Sequence, residues 1–253
     1  MGRLVIFHTS DIHNRLNQTL VDFLRSLKQS VPDSLLLDSG DAVWAGNIFW
    51  RPGGEPVLDL MNSVPYDAMC LGNREFHFLG TGLKSKICRA RFPILSANLR
   101  SASQVGAEDT DKLSCGVASH VVFERGGLRV GVFGLTVPCI TEQMFVRRLA
   151  DHFFLDPIET ALKLVPTLRS QCDVVVGLTH IGFERDLELV RGVPGIDLVL
   201  GGHSHIVAKE VPDDRDVLIS HHGHHCRFVG RVDVEVCEGN VRLRSSVIPI
   251  SEM

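Results

Sequence analysis

Leu4-Val5-Ile6-Phe7-His8-Thr9-Ser10-Asp11-Ile12-His13 sets a pattern that the chain repeats: a short apolar run that ends in a polar cluster. Leu35-Leu36-Leu37 ends in Asp38-Ser39-Gly40-Asp41, and Ala68-Met69-Cys70-Leu71 in Gly72-Asn73-Arg74-Glu75. Val174-Val175-Val176-Gly177-Leu178 runs into Thr179-His180, and Leu198-Val199-Leu200 into Gly201-Gly202-His203-Ser204-His205. Apolar runs this short, several rich in β-branched residues, read as buried strands. Helical patterns lie between several of them. Residues 16–28 place Leu20, Phe23, Leu24 and Leu27 on one face, and 157–168 do the same with Ile158, Ala161, Leu162 and Val165. Asp156 before Pro157 is an N-cap followed by a first-turn proline. Alternating strands and helices predict an α/β sheet.

Two further stretches read as hairpins. Residues 117–124 and 128–135 flank Gly126-Gly127, and 227–236 and 241–250 flank Glu238-Gly239-Asn240. Their antiparallel strands imply a mixed sheet or two stacked sheets. The polar, small-residue stretch 100–114 reads as an exposed loop. With no internal repeat, low-complexity segment or linker, residues 1–253 are expected to form a single domain.

The 253 residues are 44% hydrophobic and 22% charged, enough for a globular core without staples. Net charge is −4 and Lys and Arg form no dense block, so nucleic-acid binding has no electrostatic support. No apolar run approaches the ~20 residues of a spanning helix, so no membrane association is expected. Residues 1–7 are too short for a secretory leader, which points to the cytoplasm. Seven cysteines, an odd number, occur without C-x-x-C spacing. That argues for buried free thiols rather than a zinc knuckle or a disulfide framework. Aromatic residues are 6% of the chain, with one Tyr, so platforms for stacking a nucleotide base are scarce.

Ligands of open α/β sheets bind beyond the carboxyl ends of the strands. Five strand ends here deliver Asp11, His13, Asp41, Asn73, His180, His203 and His205 to that edge. Carboxylate, amide and imidazole donors without thiolate suit Mn, Fe, Zn, Co or Ni. Seven donors exceed one site once water and substrate are counted, so two metals sharing a carboxylate fit better. Alternate residues such as Asp11 and His13, or His203 and His205, face one side of an extended chain. Among the other histidines, His120 and His152 read as surface residues, and His8 as support for the ligands or strand packing. The run His221-His222-Gly223-His224-His225 reads as an exposed turn or as the lining of a substrate mouth.

The ordered set D-I-H, G-D-A-V-W-A-G, G-N-R-E-F, T-H and G-G-H-S-H resembles the calcineurin-like metallophosphoesterases. Within them it is most similar to the catalytic domain of the 5′-nucleotidase group. The stretch from Gly54 to Asn73, Ser96-Ala97-Asn98 and the run from Ile196 to His205 carry that closer likeness. The resemblance implies a four-layer αββα sandwich of two mixed sheets and a phosphoesterase acting on a small phosphorylated substrate. It also implies two divalent transition metal ions, with manganese foremost. By matching positions, Asp11, His13, Asp41 and His205 would hold one ion. Asp41, Asn73, His180 and His203 would hold the other, with Asp41 bridging. Such a pair activates a water for in-line attack and clamps the phosphoryl oxygens, and monoesters and diesters are both open to it.

Two departures stand out. The family motif is G-N-H-E, whose His serves the transition state or the leaving group, often paired with an Asp three residues on. Arg74 occupies the His position here and His77 the Asp position. Arg74 can bind a phosphate oxygen but cannot donate a proton at neutral pH, whereas His77 can recover an acid role. With Asn73, these are the candidate catalytic residues. A catalytically impaired metal- and phosphate-binding protein is therefore the alternative expectation. The nucleotidase group also carries a C-terminal domain that stacks the base. The resemblance here spans roughly residues 4–236, so nucleotide specificity is not implied, and oligomeric state is left open.

Overall fold

The computed structural model describes residues 2–102, 116–211 and 217–250. Its first half contains β1 (Gly2–Thr9), α1 (Gln18–Ser30), β2 (Leu35–Asp38), α2 (Val57–Asn62), β3 (Ala68–Cys70), α3 (Gly80–Ile87), β4 (Ile94–Leu95), β5 (Leu99–Ser101) and β6 (Val117–Ala118). There follow β7 (His120–Arg125), β8 (Leu128–Thr136), β9 (His152–Phe154), α4 (Pro157–Arg169), β10 (Val174–His180) and α5 (Phe183–Gly192). The chain closes with β11 (Leu198–Gly201), β12 (Val207–Glu210), β13 (Leu218–His222), β14 (Phe228–Cys237) and β15 (Asn240–Pro249).

Two mixed sheets stack face to face. One has the order β15-β14-β1-β2-β3-β4-β6, with β1, β2, β3, β4 and β6 parallel and β14 antiparallel to β1 and to β15. The other runs β12-β13-β11-β10-β8-β7, parallel in the middle and antiparallel at both edges. A short β5–β9 pair lies apart. The period of two in β1 explains the layering. Leu4 and Ile6 point into the inter-sheet core with Leu35, Leu37, Val176, Leu178 and Leu200. Phe7 points the other way, into a core with Leu24 of α1, Met61 of α2 and Leu83 of α3. On the far side, Val165 of α4 and Leu189 of α5 pack on Val175 and Val199. The result is the αββα sandwich. Each leucine fully withdrawn between the sheets contributes roughly 1.5–3 kcal/mol.

Local chemistry sets the element ends. Asn17 caps α1 by accepting from the Leu20 amide, so that helix starts at Gln18 rather than residue 16. Asp156 accepts from the Ile158 and Glu159 amides and caps α4. Leu162, expected on the buried face of α4, is 46% exposed. The hairpin expected over 117–135 is divided: Val117–Ala118 joins the first sheet, and the chain crosses at Ser119 so that His120–Arg125 pairs with β8 in the second. The terminal hairpin forms as expected. The loop expected over 100–114 lies largely outside the described residues. Of the six described cysteines, all free, Cys70, Cys172 and Cys226 are buried, Cys139 is partly buried, and Cys88 and Cys237 are exposed.

Candidate metal centre

Neighbouring parallel strands end at a common edge, which brings the seven residues together. Asp11 and His13 follow β1, Asp41 follows β2 and Asn73 follows β3. In the facing sheet His180 ends β10, and His203 and His205 follow β11. The loops latch onto one another: the Asp11 amide donates to the Gly40 carbonyl, and the His13 amide to the Asp41 carbonyl, both at 2.9 Å. Gly40, at φ +94°, lies so close to Gly72 that a Cβ would come within 2.7 Å of the Gly72 nitrogen. Only glycine allows that approach.

The donor atoms converge in two overlapping groups. Donor atoms of Asp11, His13 and His205 lie within 4.8 Å of one another, as do those of Asp11, Asp41 and His180. His13 and His205 aim Nε2 at Nε2 across 3.2 Å. Asn73 Oδ1 is 3.2 Å from His180 Nε2 and 3.1 Å from His203 Nδ1. Asp11, His13, Asp41 and His180 form a buried floor, whereas Asn73 is half-buried and His203 and His205 form an exposed lip. Five of the seven, Asp11, His13, Asp41, His203 and His205, hold positive φ between +47° and +74°. Non-glycine residues resist that region, and strain gathered this way is typical of functional sites.

The electrostatics fit divalent cations. His180 Nδ1 donates to the Ser39 carbonyl at 2.7 Å, which turns Nε2 toward Asp41 and Asn73. Burial alone would lower the His180 pKa, but the Asp41 carboxylate, its hydrogen bond, and then Asp11 and Glu75 raise it to about 10. Burial raises the Asp41 carboxyl, yet His180, the Arg74 amide and His13 outweigh it and hold it below the usual carboxylate range. A pocket that attracts a proton so strongly offers oxygen and nitrogen donors for hard or borderline cations.

Several supporting residues carried no sequence signal of their role. Glu75, fully buried, accepts from the amides of Asp41, Val43 and Gly72, and so fixes two ligand loops at once. Burial, then the Asp41 charge, pushes its carboxyl up to about 7. Lys86, also buried, donates to the carbonyls of Gly46, Arg74 and Phe76. All but the Gly72–Glu75 contact join residues well separated in sequence, so no local pattern announces them. Arg74 lies at the lip, its Nε 3.9 Å from Asp41 Oδ2 and its Nη1 donating to the Trp44 carbonyl. His77 is turned into the scaffold: its Nδ1 accepts from the Leu79 amide and its Nε2 lies 3.2 Å from the Ile48 carbonyl.

The remaining histidines divide by environment. His152, expected at the surface, is 2% exposed, and His120 is half-buried. His221 and His222 are buried in β13, so the 221–225 run is not a simple exposed turn. His224 and His225 are half-buried beside the ligands, His224 stacking on His205 and His225 lying 5.5 Å from His13.

The family model described as calcineurin-like phosphoesterase matches residues 4–207. The trifunctional nucleotide phosphoesterase protein YfkN of Bacillus subtilis (strain 168) is 30% identical over 98% of this chain and 19% of its own length. The 5′-nucleotidase of Homo sapiens is 31% identical over 83% of this chain and 40% of its own. The chain thus spans at most about two fifths of these curated relatives. Among solved structures, a 5′-nucleotidase precursor from Thermus thermophilus superposes with a TM-score of 0.78 at 25% identity, over 98% of this chain and 54% of that one. No helix among the described residues is long and apolar enough to cross a membrane. On the match across 4–207 and the strand-edge cluster that lies within it, the chain belongs to the calcineurin-like phosphoesterase family.

Proposed function

We propose that this chain, as one domain over 1–253, is a metal-dependent phosphoesterase. In this reading Asp11, His13, Asp41 and His205 hold one divalent ion, and Asp41, Asn73, His180 and His203 hold a second. The observation that carries it is the convergence of Asp11, His13, Asp41, His180 and His205 in two overlapping donor groups, with Asn73 within 3.2 Å of His180 and 3.1 Å of His203. Asp41 is assigned the bridge by its position in the family motif, and its carboxylate feels both His180 and His13; the residue common to both convergent donor groups is Asp11. Bound there, divalent cations, with manganese first among Fe, Zn, Co and Ni, supply Lewis acidity for attack by water on phosphorus. The relatives' names make nucleotide esters the first substrates to assay.

The chain's own groups divide the remaining work. Arg74, at the open lip beside His203 and His205, receives the phosphoryl group, with the guanidinium placed for its oxygens. Arg74 keeps its proton, so it stabilises charge and does not protonate the leaving group. His77 has its ring nitrogens turned to the Leu79 and Ile48 backbone, so it is not placed to supply the proton that Arg74 withholds.

A leaving-group series of aryl and alkyl phosphates, assayed with Mn, Co, Ni, Zn and Mg, tests this. The rate should fall steeply as leaving-group pKa rises. Arg74→His should flatten the dependence, by up to about 10²–10⁴-fold for the poorest leaving groups. Arg74→Ala should lower all rates by about 10²–10³-fold. His77→Ala should leave the slope alone; a steeper slope in that variant moves the acid role to His77. No turnover of any ester with any metal contradicts the hydrolase reading.

A further inference from the structure

Trp44 stands 54% exposed on a loop that is otherwise pinned. Glu75 accepts from the Val43 amide, and Arg74 Nη1 donates to the Trp44 carbonyl. Lys86 donates to the Gly46 carbonyl, and His77 Nε2 lies 3.2 Å from the Ile48 carbonyl. Glu75, Lys86 and His77 are all buried. Lys86 also donates to the Arg74 carbonyl at 2.6 Å, so one buried ammonium locks the Trp44 loop to the Arg74 loop. Placing a lysine there carries a desolvation penalty, offset by three carbonyl partners. The backbone that carries the exposed indole is therefore held in place.

Its location is specific. The ring meets His13 edge to face at 5.6 Å, and the Arg74 guanidinium lies 5.8 Å from its centroid. That second distance is near the outer limit of a cation–π contact, so Arg74 engages the ring only weakly. An indole next to a metal-ligand histidine and a phosphate-binding arginine borders the space where an ester group must extend. Trp50, the other tryptophan, is 41% exposed and meets the buried His77 rather than a candidate metal-ligand histidine.

We propose that Trp44 is a stacking wall beside the phosphoryl site, and that the site selects phosphate esters carrying a planar aromatic ring over aliphatic ones. This rests on the phosphoesterase reading above and names a substrate class for it. Stacking of a planar ring on an aromatic side chain changes affinity by roughly 5- to 150-fold.

Calorimetry on the manganese-loaded protein with phenylphosphonate and methylphosphonate, neither of which is hydrolysed, reads the wall without turnover. Wild type should bind phenylphosphonate about tenfold or more tighter than methylphosphonate. Trp44→Ala should erase that preference and Trp44→Phe should keep most of it. Equal affinities in wild type, no binding of either ligand, or a preference that survives Trp44→Ala overturns the proposal. If the preference holds and follows Trp44 while no ester is turned over, the hydrolase reading fails and the wall stands.

Discussion

His180 and His222 are both buried, and each is the last residue of its strand in the same sheet, yet their electrostatics are opposite. Around His180, the carboxylates of Asp41, Asp11 and Glu75 overcome desolvation and raise the imidazole to about 10. Around His222, burial, and after it the neighbouring His221, lowers the imidazole to about 4. Its direct partners are neutral. Ser39 Oγ donates to the Leu200 carbonyl, so it accepts from His8 Nε2 at 2.7 Å. His8 Nδ1 must then accept from His222 Nδ1 at 2.6 Å, and His222 Nε2 accepts from Ser220. This directed chain links β13, β1, β2 and β11 across the two sheets. The same residue type is thus a proposed ion ligand in one place and a neutral tie in the other, and the carboxylates beside His180 make most of the difference.

The largest effect should come from removing the carboxylate that makes the difference. Asp41→Asn should abolish tight binding of both ions, while His13→Ala weakens mainly one, as read by calorimetric titration. In the metal-free Asp41→Asn protein, NMR titration should show the His180 pKa falling toward its ordinary value. Two ions bound as tightly as in wild type would show the bridge to be misassigned.

The next effect separates the two histidines by pH. The His222 pKa is below its unfolded value near 6.5, so the unfolded chain takes up the proton first. Stability should fall by about 3 kcal/mol as pH drops from 6.5 to 4. The His180 pKa is raised, so its contribution is full below about 6.5 and is lost as pH rises through about 10. Urea unfolding of the metal-free protein should therefore show both limbs. His222→Gln should flatten the acid limb and Asp41→Asn the alkaline one. An acid limb unchanged in His222→Gln would break the contrast.

A smaller effect probes the frame that aims the charged cluster. Glu75→Gln replaces one acceptor oxygen with an amide that meets a backbone N–H head on. Metal affinity should fall about 10–100-fold, in the range of other groups that orient ligands. Wild-type affinity in this variant would show that the backbone alone aims Asp41.

The strands and the edge they share were legible because both depend on local pattern, whereas the αββα layering was implied only by the family resemblance. Apolar runs mark the strands, and the polar residues that follow them land at one edge whatever the order of strands. The division of 117–125 between two sheets was not legible, since nothing at Ser119 signals a crossing that is settled by which sheet has a free edge. His152 and Leu162 were misplaced because their burial is set by neighbours distant in sequence. Glu75 and Trp44 stood inside motifs already singled out, G-N-R-E-F and G-D-A-V-W-A-G, but their work is done on backbone groups and space that only the folded chain assembles.

The central claim is that seven side chains from five strand ends form one dinuclear site. Its most direct test is metal stoichiometry by elemental analysis after loading with excess manganese and removal of free ion. The account predicts close to two ions per chain in wild type. A value that stays at one or below under saturating manganese, or a value of two retained in Asp41→Asn, would contradict it.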